Sequence, residues 1–120
     1  MSTTTQPFDT RAMRYAMAQS YFDERRYREA IEHLTDIVAE TPEDVGTRLL
    51  LARAYFHAAL LRPAEEQLRA VLDRDPTESY AHLMLARSLE RQQRGDEATR
   101  HRRIAAALTG EDEHLKPYAW

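Results

Sequence analysis

One period governs this chain. Ala18, Ala52 and Ala86 are 34 residues apart, as are Tyr21, Tyr55 and Leu89. Ala30, Ala64 and Ala98 keep the same step, as do Leu34, Leu68 and Arg102, while Pro42 and Pro76 close the first two units. Self-similarity at such a period marks a repeat array. Each unit is too small to bury its own apolar face and must stack on its neighbours to form a continuous core. The sequence therefore constrains the kind of function, holding another protein or peptide, more than the identity of what is held.

Within that frame 120 residues suffice for one domain. Hydrophobic residues make up 42% and charged residues 31%, the balance of a folded chain rather than a disordered one. Only 3 glycines occur, and Ala, Leu, Arg, Glu and Gln dominate. These residues lose little freedom in a helix, so the expected class is all-α. A net charge of −3 argues against a generally basic nucleic-acid binder. With no cysteine there is no disulfide, thiol nucleophile or thiolate metal site. No apolar run approaches the roughly 20 residues needed to span a bilayer, and the opening MSTTTQPFDT lacks the pattern of a secretory signal. A cytoplasmic location is the expectation. Lys116 is the sole lysine among 17 basic residues, a bias that fits a GC-rich, bacterial genome.

Along the chain, residues 1–10 form a hydroxyl-rich tail with little to bury, expected to be mobile. Asp9 or Thr10 offers an N-cap. Met13, Ala16, Met17, Ser20 and Tyr21 then fall on one face of a first helix. Tyr27, Ala30, Ile31, Leu34, Ile37 and Val38 form the apolar stripe of a second. Thr41-Pro42 stops it, and Glu43-Asp44 suit the start of the next helix. The second unit repeats the plan, with Pro63 in a first helical turn where its missing N–H costs nothing. The third turns near Arg94-Gly95-Asp96 and ends at Gly110. Six helices of roughly 12–15 residues joined by short turns imply antiparallel neighbours.

Two helices per 34 residues with these anchors resemble the tetratricopeptide repeat (TPR). Ala18, Ala52 and Ala86 match its small position, and Tyr21, Tyr55 and Leu89 its aromatic position. Ala30, Ala64 and Ala98 match the alanine of the second helix, and Pro42 and Pro76 the closing proline. The match covers residues 11–110 as repeats 11–44, 45–78 and 79–110, with a tail at 111–120. The chain departs from the motif where Arg14, Arg48 and His82 stand in place of its tryptophan and Gly110 in place of a third closing proline.

The resemblance implies an α-solenoid, a short right-handed superhelix whose concave groove is lined by the first helix of each repeat. The motif's groove positions fall on Tyr15, Gln19, Phe22 and Asp23 in repeat one and on Leu49, Arg53, Phe56 and His57 in repeat two. In repeat three they fall on Tyr80, Leu83, Arg87, Glu90 and Arg91. Aromatics at one end and arginines at the other suit an extended, carboxylate-bearing peptide, because arginine grips a carboxylate bidentately. Family members that bind chaperone tails use a lysine- and asparagine-rich clamp, which Tyr15, Gln19, Leu50, Tyr80 and Met84 do not reproduce. The expected role is a non-catalytic adaptor or scaffold. The alternative is a self-associating structural protein that uses the terminal repeat and the aromatic tail.

A solenoid must end in a polar face. Thr99 and Arg102 replace Ile31 and Leu34, which reads as that change. Leu115, Tyr118 and Trp120, the apolar groups of the tail, can fold back over repeat three, dock elsewhere or stay loose. A search for chemistry finds no HExxH, phosphate loop or serine elbow. His33 and His101 occupy equivalent positions expected to face outward, and Glu24-Arg28 and Glu65-Arg69 read as solvated i,i+4 pairs. Arg100-His101-Arg102-Arg103 gathers charge near a helix end without interleaved aromatics, which does not suit nucleic acid. No enzyme, cofactor or metal is expected.

Overall fold

The computed structural model describes residues 10–117. Six α-helices run in order: α1 (Thr10–Asp23), α2 (Tyr27–Glu40), α3 (Val45–His57), α4 (Leu61–Arg74), α5 (Ser79–Arg91) and α6 (Gly95–Thr109). A single 3-10 turn, Asp112–Leu115, follows and packs on α6. No strand occurs among the described residues. Each helix packs on the next in sequence, and α3 also meets α5. The result is elongated, 59 × 26 × 20 Å. Its radius of gyration is 16.1 Å, against about 13–14 Å for a compact chain of this length.

The period reaches down to single hydrogen bonds. At the turn inside each repeat, Arg26, Leu60 and Arg94 donate their N–H groups to the carbonyls of Tyr21, Tyr55 and Leu89 at 2.8, 2.8 and 2.9 Å. These are the six-to-one bonds of a Schellman turn, and they satisfy carbonyls left over at the helix C-terminus. The motif needs a left-handed residue, and here Arg25, Ala59 and Gln93 supply it with φ of 62°, 61° and 63°. None is glycine, so each carries a steric cost that glycine lacks. The turn expected near Arg94-Gly95-Asp96 is therefore centred on Gln93, and Gly95 opens α6. Ala59→Gly is expected to stabilise the chain by about 0.5–1 kcal/mol in urea unfolding, because relief of strain exceeds the added chain entropy.

Between repeats the helices start on carboxylates. Asp44 caps α3 by accepting from the N–H and hydroxyl of Thr47 at 3.3 and 2.8 Å. Glu78 caps α5 through the Tyr80 N–H at 3.2 Å. Gly110 ends α6 in the left-handed region at φ 75°, as the sequence predicts. Pro63 sits in the first turn of α4. Thr10 is the first helical residue of α1, while Asp9 lies outside the described residues.

Two connected cores hold the stack. One gathers Ala18, Ala30, Leu34, Leu50, Leu51 and Ala54, and the other is built around Ala52, Leu68, Val71, Leu85 and Leu89. Alanine at the 18, 52 and 86 positions is wholly buried, where larger side chains would hold the paired helices apart. The apolar face expected on α1 is only partly used. Met13 and Met17 are exposed, as are Ala16 and Ser20, because no element among the described residues packs over that side of α1.

The positions where the motif has tryptophan carry polar links instead. Arg48 Nε donates to the Pro42 carbonyl at 2.7 Å, and its Nη1 donates to Gln67 Oε1 at 2.9 Å. One period later His82 Nε2 lies 2.8 Å from the Pro76 carbonyl, and its Nδ1 lies 3.0 Å from His101 Nδ1. A carbonyl only accepts, so His82 Nε2 donates, and between neutral rings His101 Nδ1 donates to His82. Arg14 reaches both oxygens of Glu40 at 2.7 Å. The outward placement expected of His33 and His101 is thus incorrect. Both are half-buried, His33 against Tyr21 and His101 against His82.

This link predicts a pH effect. Burial, then His82, Arg69 and Arg100, hold the His101 pKa down to about 4 from 6.5. The unfolded chain takes up this proton at higher pH than the folded one. Stability is therefore full above about pH 6.5, falls as the pH drops toward 4, and levels off below. The expected loss is on the order of 1–2 kcal/mol, because the ring is only half-buried. His101→Gln, which copies Gln67 of repeat two, should remove that slope from urea midpoints measured between pH 7 and 4.5.

The carboxylate pairs also differ from expectation. Glu65 is buried and joins two repeats. It accepts from Arg69 at 2.9 Å, Arg94 at 2.8 Å and Gln92 at 3.1 Å. Burial alone would raise its pKa, but those donors outweigh it and lower it. Glu24 pairs with Arg26 at 3.6 Å.

At the C-terminal end, Arg102 does not face solvent as the sequence suggested. It occupies the core position of Leu34 and Leu68, is 6% exposed, and forms an ion pair with Glu90. Glu90 in turn stands in register with Phe22 and Phe56. Two positions that share an apolar core in each of the first two repeats have become a buried charge pair. Arg102 also donates to Thr99 Oγ1 at 2.9 Å and to the Leu115 carbonyl at 3.3 Å.

Candidate functional site

The first helices α1, α3 and α5 carry the side chains that the motif assigns to the groove. Five of them gather with two neighbours into one cluster around His57, at the C-terminal end of α3. The His57 ring stacks on Tyr27 at 5.2 Å and meets the edges of Phe22 at 5.6 Å and Phe56 at 5.7 Å. Phe22 also meets Tyr27 edge-on at 5.4 Å. The Arg53 guanidinium lies over the Phe22 ring at 4.7 Å, and that of Arg91 lies over Phe56 at 5.1 Å. Arg91 Nη1 also donates to the Phe56 carbonyl at 3.3 Å.

The electrostatics follow from this geometry. Burial, then the charges of Arg53, Arg91 and Arg25, lower the His57 pKa, so the ring is neutral at pH 7 amid three cations. No ion pair joins Arg53 to a carboxylate among the described residues. A guanidinium spread over a ring keeps its N–H edges outward, where a carboxylate can take two of them.

The other expected groove residues lie apart. Tyr15 is half-buried in a cleft of about 330 Å³ between the starts of α1 and α3, beside Asp44 and Thr47. Burial, then Asp44, raises its pKa. Gln19 is exposed on α1, Leu49 packs half-buried against the second core, and Tyr80 is exposed at the start of α5. Leu83 and Arg87 line a cleft of about 390 Å³ under the C-terminal segment. Arg87 Nη1 also lies 3.8 Å from Met84 Sδ.

Two expectations need correction. Phe56 is 7% exposed and belongs to the second core, so its ring supports Arg91 rather than offering itself to a ligand. Aromatics and arginines are also not separated along the groove. Arg53 and Arg91 are layered on the rings of Phe22 and Phe56, while Arg87 lies beside Met84. Leu50 and Met84, two of the clamp positions that the chain fails to match, are buried at 6% and 3%.

Tyr27 and Arg25 were missed. Tyr27 read as core, and it opens the second helix rather than lying on the first. Its register equivalents are Leu61 and Gly95, so the period gives no warning of an aromatic there. Arg25 is brought in by its left-handed turn.

No described helix is long and apolar enough to cross a membrane. Among the described residues no group of three or more metal-ligating side chains converges. Tyr118 and Trp120, singled out from the sequence, lie outside the described residues.

No curated protein matches the sequence. Among solved structures, a mutant of MamA superposes with a TM-score of 0.79 at 22% identity, over 87% of this chain and 76% of that one. MamA AMB-1 gives 0.81 at 22% identity, but this chain spans only 60% of its length. The first TPR of Spaghetti (RPAP3), solved with an HSP90 peptide, gives 0.81 at 18% identity over 88% and 83% of the two chains. At these identities the likeness establishes the fold. The family model of the tetratricopeptide repeat matches residues 21–87, more than half the sequence. The chain belongs to the tetratricopeptide repeat family.

Proposed function

We propose that this chain is a non-catalytic adaptor that captures an extended acidic segment of a partner protein along α1, α3 and α5. A TPR fold supports a protein–protein interaction module. One observation carries the finer reading, the convergence of Arg25, Arg53 and Arg91 on the neutral ring of His57. Rings beneath the Arg53 and Arg91 guanidinium groups fix those two at little entropic cost, and hot spots of protein interfaces favour arginine and aromatic side chains. Tyr15, Gln19, Leu49, Tyr80, Leu83 and Arg87 extend the proposed surface to either side. The peptide bound by the Spaghetti TPR agrees with this class of function but not with its chemistry here, because the clamp positions differ.

The test is affinity capture from lysate with wild type beside Arg53→Glu/Arg87→Glu, read by mass spectrometry. The double variant should lose the partner at unchanged helicity and melting temperature. A partner retained by both would put binding elsewhere, and loss of the fold would make the arginines structural.

A second reading is end-to-end self-association. Met13 and Met17 are exposed at one end of the stack, and Leu108 and Leu115 at the other. Light scattering that gives a concentration-independent monomer would dismiss it.

A further inference from the structure

The cleft under the C-terminal segment has two unlike walls. One is α5, through Leu83, Arg87 and Glu90, which stand at the groove positions of repeat three. The other is the chain after Gly110, through Glu111, Glu113 and Pro117. The left-handed turn at Gly110 reverses the chain, and the 3-10 turn lays it against α6. We infer that segment Glu111–Pro117 is a built-in occupant of the repeat-three end of the groove, which an acidic partner segment must displace. This rests on the groove reading above.

Three observations support it. The segment brings Glu111 and Glu113, beside His114 and Lys116, to a cleft containing Arg87 and Arg102, so two of its carboxylates have the charge proposed for the partner. It is lightly held, since Arg102 donates to the Leu115 carbonyl at 3.3 Å while Leu115 itself stays 45% exposed. What lies under it is the Glu90–Arg102 pair rather than an apolar end needing a permanent cover. A tethered segment acts at an effective concentration of about millimolar, enough to compete with a moderate ligand without shutting it out.

The experiment compares the full chain with a variant in which residues 111–117 are a Gly-Ser spacer of equal length. The probe is a synthetic peptide of residues 111–120, titrated to millimolar and followed by amide NMR shifts at Leu83 and Arg87. Circular dichroism confirms that each protein is folded. The spacer variant should bind the peptide at least roughly tenfold tighter than the full chain, with α5 shifts moving toward those of the full chain. Arg87→Glu in the spacer background should abolish binding, and Arg53→Glu, outside the cleft, should not. Equal binding to both proteins, or none to the folded spacer variant, overturns the inference. Failure of the partner reading would show separately, as a captured partner indifferent to Arg53→Glu.

Discussion

Arg102→Leu is expected to destabilise the chain by about 3–5 kcal/mol, although leucine is what the first two repeats carry at that position. The reason is the partner left behind. The Glu90 and Arg102 side chains are 11% and 8% exposed, so removing the guanidinium takes the ion-pair partner from a carboxylate with little access to water. The double variant Glu90→Phe/Arg102→Leu restores the phenylalanine and leucine that share a core in each of the first two repeats, Phe22 with Leu34 and Phe56 with Leu68. It should recover wild-type stability or exceed it by about 1–4 kcal/mol, as when buried ion pairs give way to well-packed apolar groups. Urea unfolding of the two singles and the double closes a mutant cycle, and the coupling should be strongly non-additive. A cost below about 1 kcal/mol for Arg102→Leu would mean that water reaches the pair.

Leu51→Ala should cost about 3 kcal/mol, whereas Met17→Ala should cost less than about 0.5. Leu51 is 1% exposed and packs with Leu34, Leu50 and Ala54, so truncation leaves a cavity in the core shared by repeats one and two. Met17 lies on the open side of α1 at 43% exposure, with little packing to lose. Both residues look alike in the sequence, as apolar residues at helical spacing. Differential scanning calorimetry on both variants checks the contrast. A large loss at Met17 would mean that something covers that face.

That pair of residues shows where sequence reading stops. Periodicity reports that a helix has an apolar face but not whether a neighbour exists to cover it. At Met17 the two part company, since no described element covers that side of α1. Inside the array, the 34-residue step located the helix pairs, while the acidic pair before α3, Pro63 in the first turn of α4 and the stop at Gly110 were read from local backbone chemistry. Arg102 was misread for a physical reason. Arginine in a core register looks like a change to solvent exposure unless the simultaneous change of Phe to Glu90, twelve residues earlier, is read with it.

The cluster around His57 was legible in part. Register alone put Phe22, Arg53, Phe56, His57 and Arg91 together. It could not foresee that guanidinium groups would lie on rings, which depends on how far each repeat is rotated against the next. Nor could it bring in Tyr27, which opens a second helix. The left-handed residues at 25, 59 and 93 were hidden because the sequence marks none of them with glycine.

The central claim is that a partner lies along α1, α3 and α5, and site-specific photo-crosslinking tests it most directly. A photoreactive residue is introduced either at Gln19, exposed on α1, or at Glu66, exposed on α4, and each variant is irradiated in lysate. The groove account predicts a discrete heteromeric adduct from Gln19, lost on Arg53→Glu, and none from Glu66. Adducts from Glu66 alone, or equally from both sites, would contradict it.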